Sequence, residues 1–523
     1  MMRCLLALAL FMLAAPSWAA QYYVRTDGND TLCNGQTDAA AGVVTCAFAT
    51  AQKAFTTFAA GDDIMFKSGT FTGPAVKTAN MCATSGNPSI IEGDPGAAVS
   101  AVVLDDNNVD NILMSFTGTV CNVKVRHLTL KGAKQILLNM SLVGNTSQKT
   151  DVEITDIDFN DAGGTLHHVR ATGSDTGYAL FVSRLYRSRI HHNTFTGATG
   201  GSATTAQGMT GSDASLMFLA GNDFGASLGT QVDNNTGANW LGAFVREGAA
   251  YSIIEDNWID NILGSGDDGM DQVYNDHKII FRRNRMTNVC NDQNITGGVV
   301  HMRSTPHSQA STPGSCGQPT CCTATEWASA EMYNNTITLS ANCGSGSQRR
   351  GLGRSNVQCE VGALNGPITI MGNVFQGAFG INGAAAVMYP NVSQTTTTNL
   401  CPASPNVISI DHNFIFGATT ATAVGTNVIS DCTFRDGMVP STTAGDFDVV
   451  GTDPELDGTT YAPTNASNAV CTAGDSTYVA RDGDHADVWA GALQGVCSGG
   501  APPPTSTPAV KLYGAIIKGS KFP

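Results

Sequence analysis

Apolar residues recur through the middle of this chain in one short phrase, apolar-x-x-Asn-x-apolar, whose internal spacing does not change. It reads Ile190-His-His-Asn193-Thr-Phe195, Leu219-Ala-Gly-Asn222-Asp-Phe224, Ile254-Glu-Asp-Asn257-Trp-Ile259 and Phe281-Arg-Arg-Asn284-Arg-Met286. It continues as Met332-Tyr-Asn-Asn335-Thr-Ile337, Ile370-Met-Gly-Asn373-Val-Phe375 and Ile410-Asp-His-Asn413-Phe-Ile415. Looser copies put Leu128, Ile157 and Cys432 at the Asn position, between Val125 and Leu130, Ile154 and Phe159, and Ile429 and Phe434. Several copies add an apolar residue five before the Asn, as at Ile279, Ile368 and Ile408. This alternation predicts a short strand, a tight bend at the Asn, and an inward residue on the next strand. Asn suits the bend because it tolerates the left-handed backbone region, and its amide can bond to its equivalents above and below. A single unit cannot bury its apolar side alone, so the units must stack as a solenoid with a structural Asn ladder. Successive Asn positions lie further apart than one plain coil needs. Loops must therefore protrude, and in repeat proteins they gather on the face that binds or catalyses.

The ends carry different signals. Arg3, the apolar run from Leu5 to Ala15, and the small residues Ser17 and Ala19 read as a secretory leader over 1–19. Its apolar run is far shorter than the ~20 residues of a membrane span, and the sequence offers no other candidate span. The expected product is secreted, extracellular or periplasmic. Of the 15 cysteines, Cys4 leaves with the leader and the remainder is an even set, so disulfides are expected. Cys33 with Cys46 and Cys82 with Cys121 are local pairs. Cys290, Cys316, Cys321, Cys322, Cys343 and Cys359 crowd the loops near one coil, where zinc is the competing reading, although their spacing matches no zinc pattern. The solenoid occupies 20–498, a Pro/Thr-rich linker 499–509, and a short tail 510–523 that could pair with a surface or with another copy. A net charge of −15 with only 14% charged residues leaves no basic stripe for nucleic acid. It leaves room for an anionic polymer, because a local Arg cluster still binds carboxylates.

Gln21-Tyr-Tyr-Val24, Asp27-Gly-Asn-Asp30, Cys46-Ala-Phe-Ala-Thr-Ala-Gln-Lys-Ala54 and Ala60-Gly-Asp-Asp-Ile-Met-Phe-Lys-Ser-Gly-Thr-Phe71, together with the Asn phrases, resemble the opening of secreted proteins of the pectate-lyase-like superfamily. Thr452-Asp-Pro454, Asp482-Gly-Asp484 and Ala490-Gly-Ala-Leu-Gln-Gly495 resemble its closing segment. The resemblance implies an all-β fold, a right-handed parallel β-helix with a capping helix around Ala49 to Phe58 and long loops on one face. It implies no single activity, since the superfamily includes lyases, hydrolases, epimerases, adhesins and tailspikes. Of the polygalacturonase-type motifs only a paired Asp, Asp267-Asp268, is present, and the pectate-lyase Arg-x-Pro-x-x-Arg motif is missing.

In such a helix the strand preceding each Asn strand walls the substrate cleft. That wall comprises Tyr178–Val182, Gly242–Arg246, Met270–Tyr274 and Val299–Arg303. Its outward stripe would hold Arg246, Glu247, Asp271, Tyr274, His301 and Arg303, with Asp267, Asp268, His277 and His307 in flanking loops. A uronate lyase needs a cation on the substrate carboxylate and a base for the C5 proton, which Arg246, Arg303, His301 and Tyr274 supply. A hydrolase needs two carboxyls across the scissile bond, which Asp267, Asp268 and Asp271 supply. Asp267 and Asp268 can act together only from a loop, for which Gly264, Gly266 and Gly269 argue. The same acids could hold Ca²⁺. His191, His192 and His412 are expected at exposed turns, Arg282, Arg283 and Arg285 at the surface, and Arg349-Arg350 in a loop. His167-His168 with Arg170 form a lesser polar cluster. The leading expectation is a secreted protein that binds and cleaves an extended polysaccharide by elimination or hydrolysis. The alternative is a non-catalytic adhesin or scaffold, with a tailspike disfavoured by the leader.

Overall fold

The computed structural model describes residues 19–42, 44–140 and 149–160 and, between 177 and 497, chiefly the strands and the turns that join them. Residues 1–18 of the expected leader, and the segments expected as linker and tail, lie outside the described residues, as do the crowded cysteines, His167, His168, Arg170, Arg349 and Arg350. Strands stack in parallel from coil to coil into sheets of 23, 11 and 6 strands. The largest sheet takes two strands from most coils, one on each side of the Asn bend. Its inward column runs in register through Val125, Ile154, Ile190, Val232, Ile254 and Phe281, all fully buried. Beyond the bend the column continues as Leu130, Phe159 and Phe195, the two Phe rings stacked at 4.7 Å. Each such side chain contributes ~1.5–3 kcal/mol by leaving water, and only stacking gives it neighbours on both sides. The chain is thus an all-β parallel β-helix, as the repeat and the resemblance predicted.

The ladder is built from buried amides. Asn257 Nδ2 donates to the Val232 carbonyl (3.0 Å) and to Asn284 Oδ1 (2.9 Å), while Asn257 Oδ1 accepts from Asn235 N (3.1 Å) and Asn235 Nδ2 (2.9 Å). The same bonds repeat from Asn193 through Asn284, Asn335 and Asn373 to Asn413. The left-handed residue is not the Asn but the one before it, since Asp156, His192, Asn234, Asp256, Arg283, Asn334 and His412 all have φ between 53° and 56°. Asn is kept for its bonds, and the bend conformation falls to its neighbour.

Two assignments are corrected by register. Asn222 is not the rung between Asn193 and Asn257, because Ala214–Leu219 belongs to the 11-stranded sheet. Asn222 lies outside the described residues, and the rung is Asn235, in register through Val232 with Ile190 and Ile254. Gly237, which replaces the expected apolar residue, hid this copy. Cys432 fails as a rung because Phe434 pairs with Ile408, before the bend, and Val450 holds the position after it, paired with Ile415.

At the N-terminal end the helix Ala51–Thr57 starts where Thr50 Oγ1 accepts from Lys53 N, and Asp30 accepts from Ala49 N, Thr50 N and Thr50 Oγ1. Phe55 packs on Phe116 at 5.6 Å. Buried Lys77 donates to the carbonyls of Phe55 and Phe58, placing a cation at the helix C-terminus. Cys82–Cys121 ties neighbouring coils of the 6-stranded sheet, and Cys33–Cys46 and Cys471–Cys497 close the two end regions. The first two are the local pairs expected from the sequence.

Parts of the chain after residue 451 fold back over the largest sheet. Ala480 packs on Ile253, Ile280 and Tyr333, and Val470, Cys471 and Ala490 pack on Val374 and Phe414. Arg282, expected at the surface, is 5% exposed, held by Glu255 (2.6 Å), Asp482 (2.9 Å) and Asp484 (3.1 Å). Arg283 reaches Asp484 at 2.6 Å. Burial is tolerable because several carboxylates meet the guanidinium.

Asn257→Ala removes a buried amide that makes four ladder bonds, taking away the acceptor of the Asn235 backbone N–H, one of the two acceptors of Asn235 Nδ2, and the side-chain donor to the Val232 carbonyl. Urea unfolding should show a loss of about 3 kcal/mol or more, against less than about 0.5 kcal/mol for a surface control such as Thr194→Ala.

Candidate functional site

The 11-stranded sheet contains the expected wall. Gly177–Val182, Val245–Arg246, Asp271–Tyr274, Val300–Arg303 and Leu352–Arg354 all lie in it, in parallel, with Val245–Arg246, Asp271–Tyr274 and Val300–Arg303 adjacent. Arg246 pairs with Gln272, and Gln272 with His301; Tyr274 pairs with Arg303. Strand alternation puts those two registers, two positions apart, on one face. Asp271 is out of phase with them. It pairs with Val245 and Val300, in a column that passes through Met217, Leu180, Leu138 and Met114, of which Met114, Leu138 and Leu180 belong to the core. The strands therefore bring Arg246, Tyr274, His301 and Arg303 onto one face and leave Asp271 off it. Gln272, which the sequence reading passed over, stands between Arg246 and His301; its place as the second residue of its strand was the available signal. Glu247, Asp267, Asp268, His277 and His307 lie outside the described residues.

A second polar cluster, whose histidines the sequence places at exposed turns, sits on the outer face of the largest sheet. Glu153, Arg189 and Gln231 form one outward column, and Thr155, His191 and Asp233 another, two positions along. His191 is 9% exposed, so only His192 is an exposed turn residue. The left-handed backbone at His192 (φ 55°) turns its ring against that of His191, with Nδ1 atoms 2.7 Å apart and centroids 5.0 Å apart. His191 Nε2 meets Glu153 Oε1 at 3.1 Å, and Glu153 also holds Lys124 at 2.5 Å. Arg189 grips Asp233 through both oxygens, at 2.8 and 2.6 Å. Hydrogen bonding from His191, against burial and with help from Lys124, holds the Glu153 carboxyl down at about 2. Burial, and then the neighbouring His191, push the His192 imidazole below its ordinary value. Ligand atoms of His191, His192 and Asp233 lie within 4.8 Å of one another, the cluster of metal-binding type among the described residues.

Where the C-terminal segment crosses, the first of these outward columns turns apolar. Glu153, Arg189 and Gln231 are followed in register by Ile253 and Ile280, the residues that Ala480 covers. The second column stays charged there, as Glu255 and Arg282, but these groups are buried and paired with each other and with Asp482 and Asp484.

No family model and no curated protein matches the chain. Among solved structures it is similar to pectate lyase Pel9A, at 12% identity and TM-score 0.45, over 91% of this chain and 96% of that one. It is also similar to the PL6 family polysaccharide lyase Pedsa3628 from Pseudopedobacter saltans, at 11% identity and TM-score 0.37, over 78% and 93%. A third is the A-module of the Azotobacter vinelandii mannuronan C-5 epimerase, at 13% identity and TM-score 0.36, over 75% and 91%. The strand pairing, and not these distant likenesses, defines the fold. Among the described residues no helix is long and apolar enough to cross a membrane, and the disulfides suit an oxidising compartment.

The depressed carboxyl of Glu153 carries a pH signature. Its folded value of about 2 lies below the ~4.3 of an unfolded Glu, so its stabilisation is present above that value and fades as pH falls toward 2. Urea midpoints for the wild type and Glu153→Gln should differ at pH 6 and converge near pH 2.

Proposed function

We propose that this protein is a secreted polysaccharide lyase that binds an acidic, uronate-containing chain along its 11-stranded sheet and cleaves it by β-elimination. What supports the reading is the register that sets Arg246 beside Gln272 and His301, and Tyr274 beside Arg303. Those are the residue types an elimination uses. A guanidinium neutralises the substrate carboxylate, which acidifies the C5 proton, and a neutral imidazole or phenolate removes it. The C5–H electrons form the C4–C5 double bond as the C4–O bond breaks, and the leaving oxygen takes a proton. Hydrolysis is the weaker reading because it needs two facing carboxyls, and Asp271 is out of phase with the polar register. In this reading the loop acids Asp267 and Asp268 serve better as oxygen ligands for Ca²⁺, which would add positive charge beside the uronate.

Mature protein incubated with acidic and neutral polysaccharides, with and without calcium, should produce unsaturated-uronate absorbance together with reducing ends. His301→Ala should lower kcat by about 10²-fold or more, and Arg303→Ala should cost a comparable factor. Reducing ends without absorbance would move the assignment to hydrolysis by the carboxylates. Silence across the panel from folded protein would leave a non-catalytic adhesin or scaffold.

A further inference from the structure

We infer that His191, His192 and Asp233 form a binding site for a late first-row transition-metal ion, Zn²⁺ or Cu²⁺, on the outer face of the 23-stranded sheet. The site is separate from the 11-stranded wall and does not depend on the lyase reading.

Three features select the ion. His191 Nε2 faces the Glu153 carboxylate at 3.1 Å, so its proton belongs on Nε2 and the lone pair on Nδ1, where the Thr155 hydroxyl at 3.3 Å is a weak donor that an ion would displace. A carboxylate behind an imidazole is the usual way a protein orients a metal-binding His. That lone pair points at His192 Nδ1, 2.7 Å away, so the neutral rings can share only one proton between two nitrogens. An ion bound ~2.1 Å from each nitrogen would set them about 3.0 Å apart at the right angle of tetragonal copper and about 3.4 Å apart at the tetrahedral angle of zinc, an opening of roughly 0.3 to 0.7 Å that exposed His192 can supply. Binding replaces the shared proton and releases it.

Asp233 supplies the third ligand. Among the described residues three donors reach its carboxylate: Arg189 Nε on Oδ1, and Arg189 Nη2 and Asn234 Nδ2 (2.8 Å) on Oδ2. A carboxylate offers about four lone-pair sites, which leaves one on Oδ1. Arg189 fixes the group and offsets part of its charge, so one anionic oxygen and two imidazoles meet the ion. That donor set suits zinc or copper, whereas calcium needs about six to eight oxygens. Three protein ligands leave coordination open to water or an external group.

Full-length protein stripped with a chelator should bind one equivalent of ZnCl₂ or CuCl₂ by calorimetry, with CaCl₂ not competing. The Cu²⁺ electron paramagnetic resonance spectrum should carry coupling to two nitrogens. His192→Gln, at an exposed position, should keep the unfolding midpoint of the metal-free protein, abolish stoichiometric binding and remove the two-nitrogen pattern. Glu153→Gln should weaken binding by about 10- to 100-fold. No stoichiometric binding by the wild type, an unchanged affinity and spectrum in His192→Gln, or displacement of the ion by calcium would each overturn the assignment.

Discussion

The stack of buried side-chain amides is the constraint on which the rest of the molecule depends. A tight bend in the middle of a coil leaves backbone N–H and C=O groups turned away from the ladder of the sheet, in a place water does not reach. Each Asn repairs the bend of the coil before it: its Oδ1 accepts that coil's Asn backbone N–H, and its Nδ2 donates to a carbonyl three residues upstream. The repair runs one way along the axis. Ile157 N is served by Asn193 Oδ1 at 3.0 Å, while Ile157 itself offers nothing to Leu128, its partner in register. Through these first coils the strands Val123–Lys131 and Glu153–Asn160 run on past the bend.

Once the bends are satisfied, the outward positions are free to vary. They do so in blocks, polar and ionised from Glu153 to Asp233, and apolar or doubly salt-bridged from Ile253 to Tyr333, where the C-terminal segment covers them. Arg282 illustrates the transition, since a buried guanidinium is acceptable only with Glu255, Asp482 and Asp484 around it.

The fold was legible because one residue type does one job at one position. An amide that must reach both neighbouring coils admits no substitute, so Asn257, Asn284, Asn335, Asn373 and Asn413 stand out unaided. Asn235 is inconspicuous because its inward partner is Gly237, and Asn222 imitates it because a strand of another sheet happens to end in Leu219. The polar sites were harder to see. Local alternation tells which residues share a face within one strand, but only register tells which strands' faces coincide. A first-residue acid such as Asp271 therefore looked equivalent to Arg246 although it is one step out of phase. The His191 cluster draws Glu153, His191 and Asp233 from three coils, and no spacing in the sequence announces it.

The contact between Arg283 and Asp484, 201 residues apart, together with the other bonds of the returning segment, changes the topology of a chain whose sheet bonds join neighbouring coils. A plain solenoid can zip up from whichever end emerges first and can fray from either end at little cost. Here the last described segment is clamped onto coils completed long before it, so the final fastening must wait until nearly the whole polypeptide has been delivered. Fraying from the C-terminal side must then begin by breaking ion pairs in the middle of the rod, which converts a row of semi-independent turns into something closer to a single cooperative body.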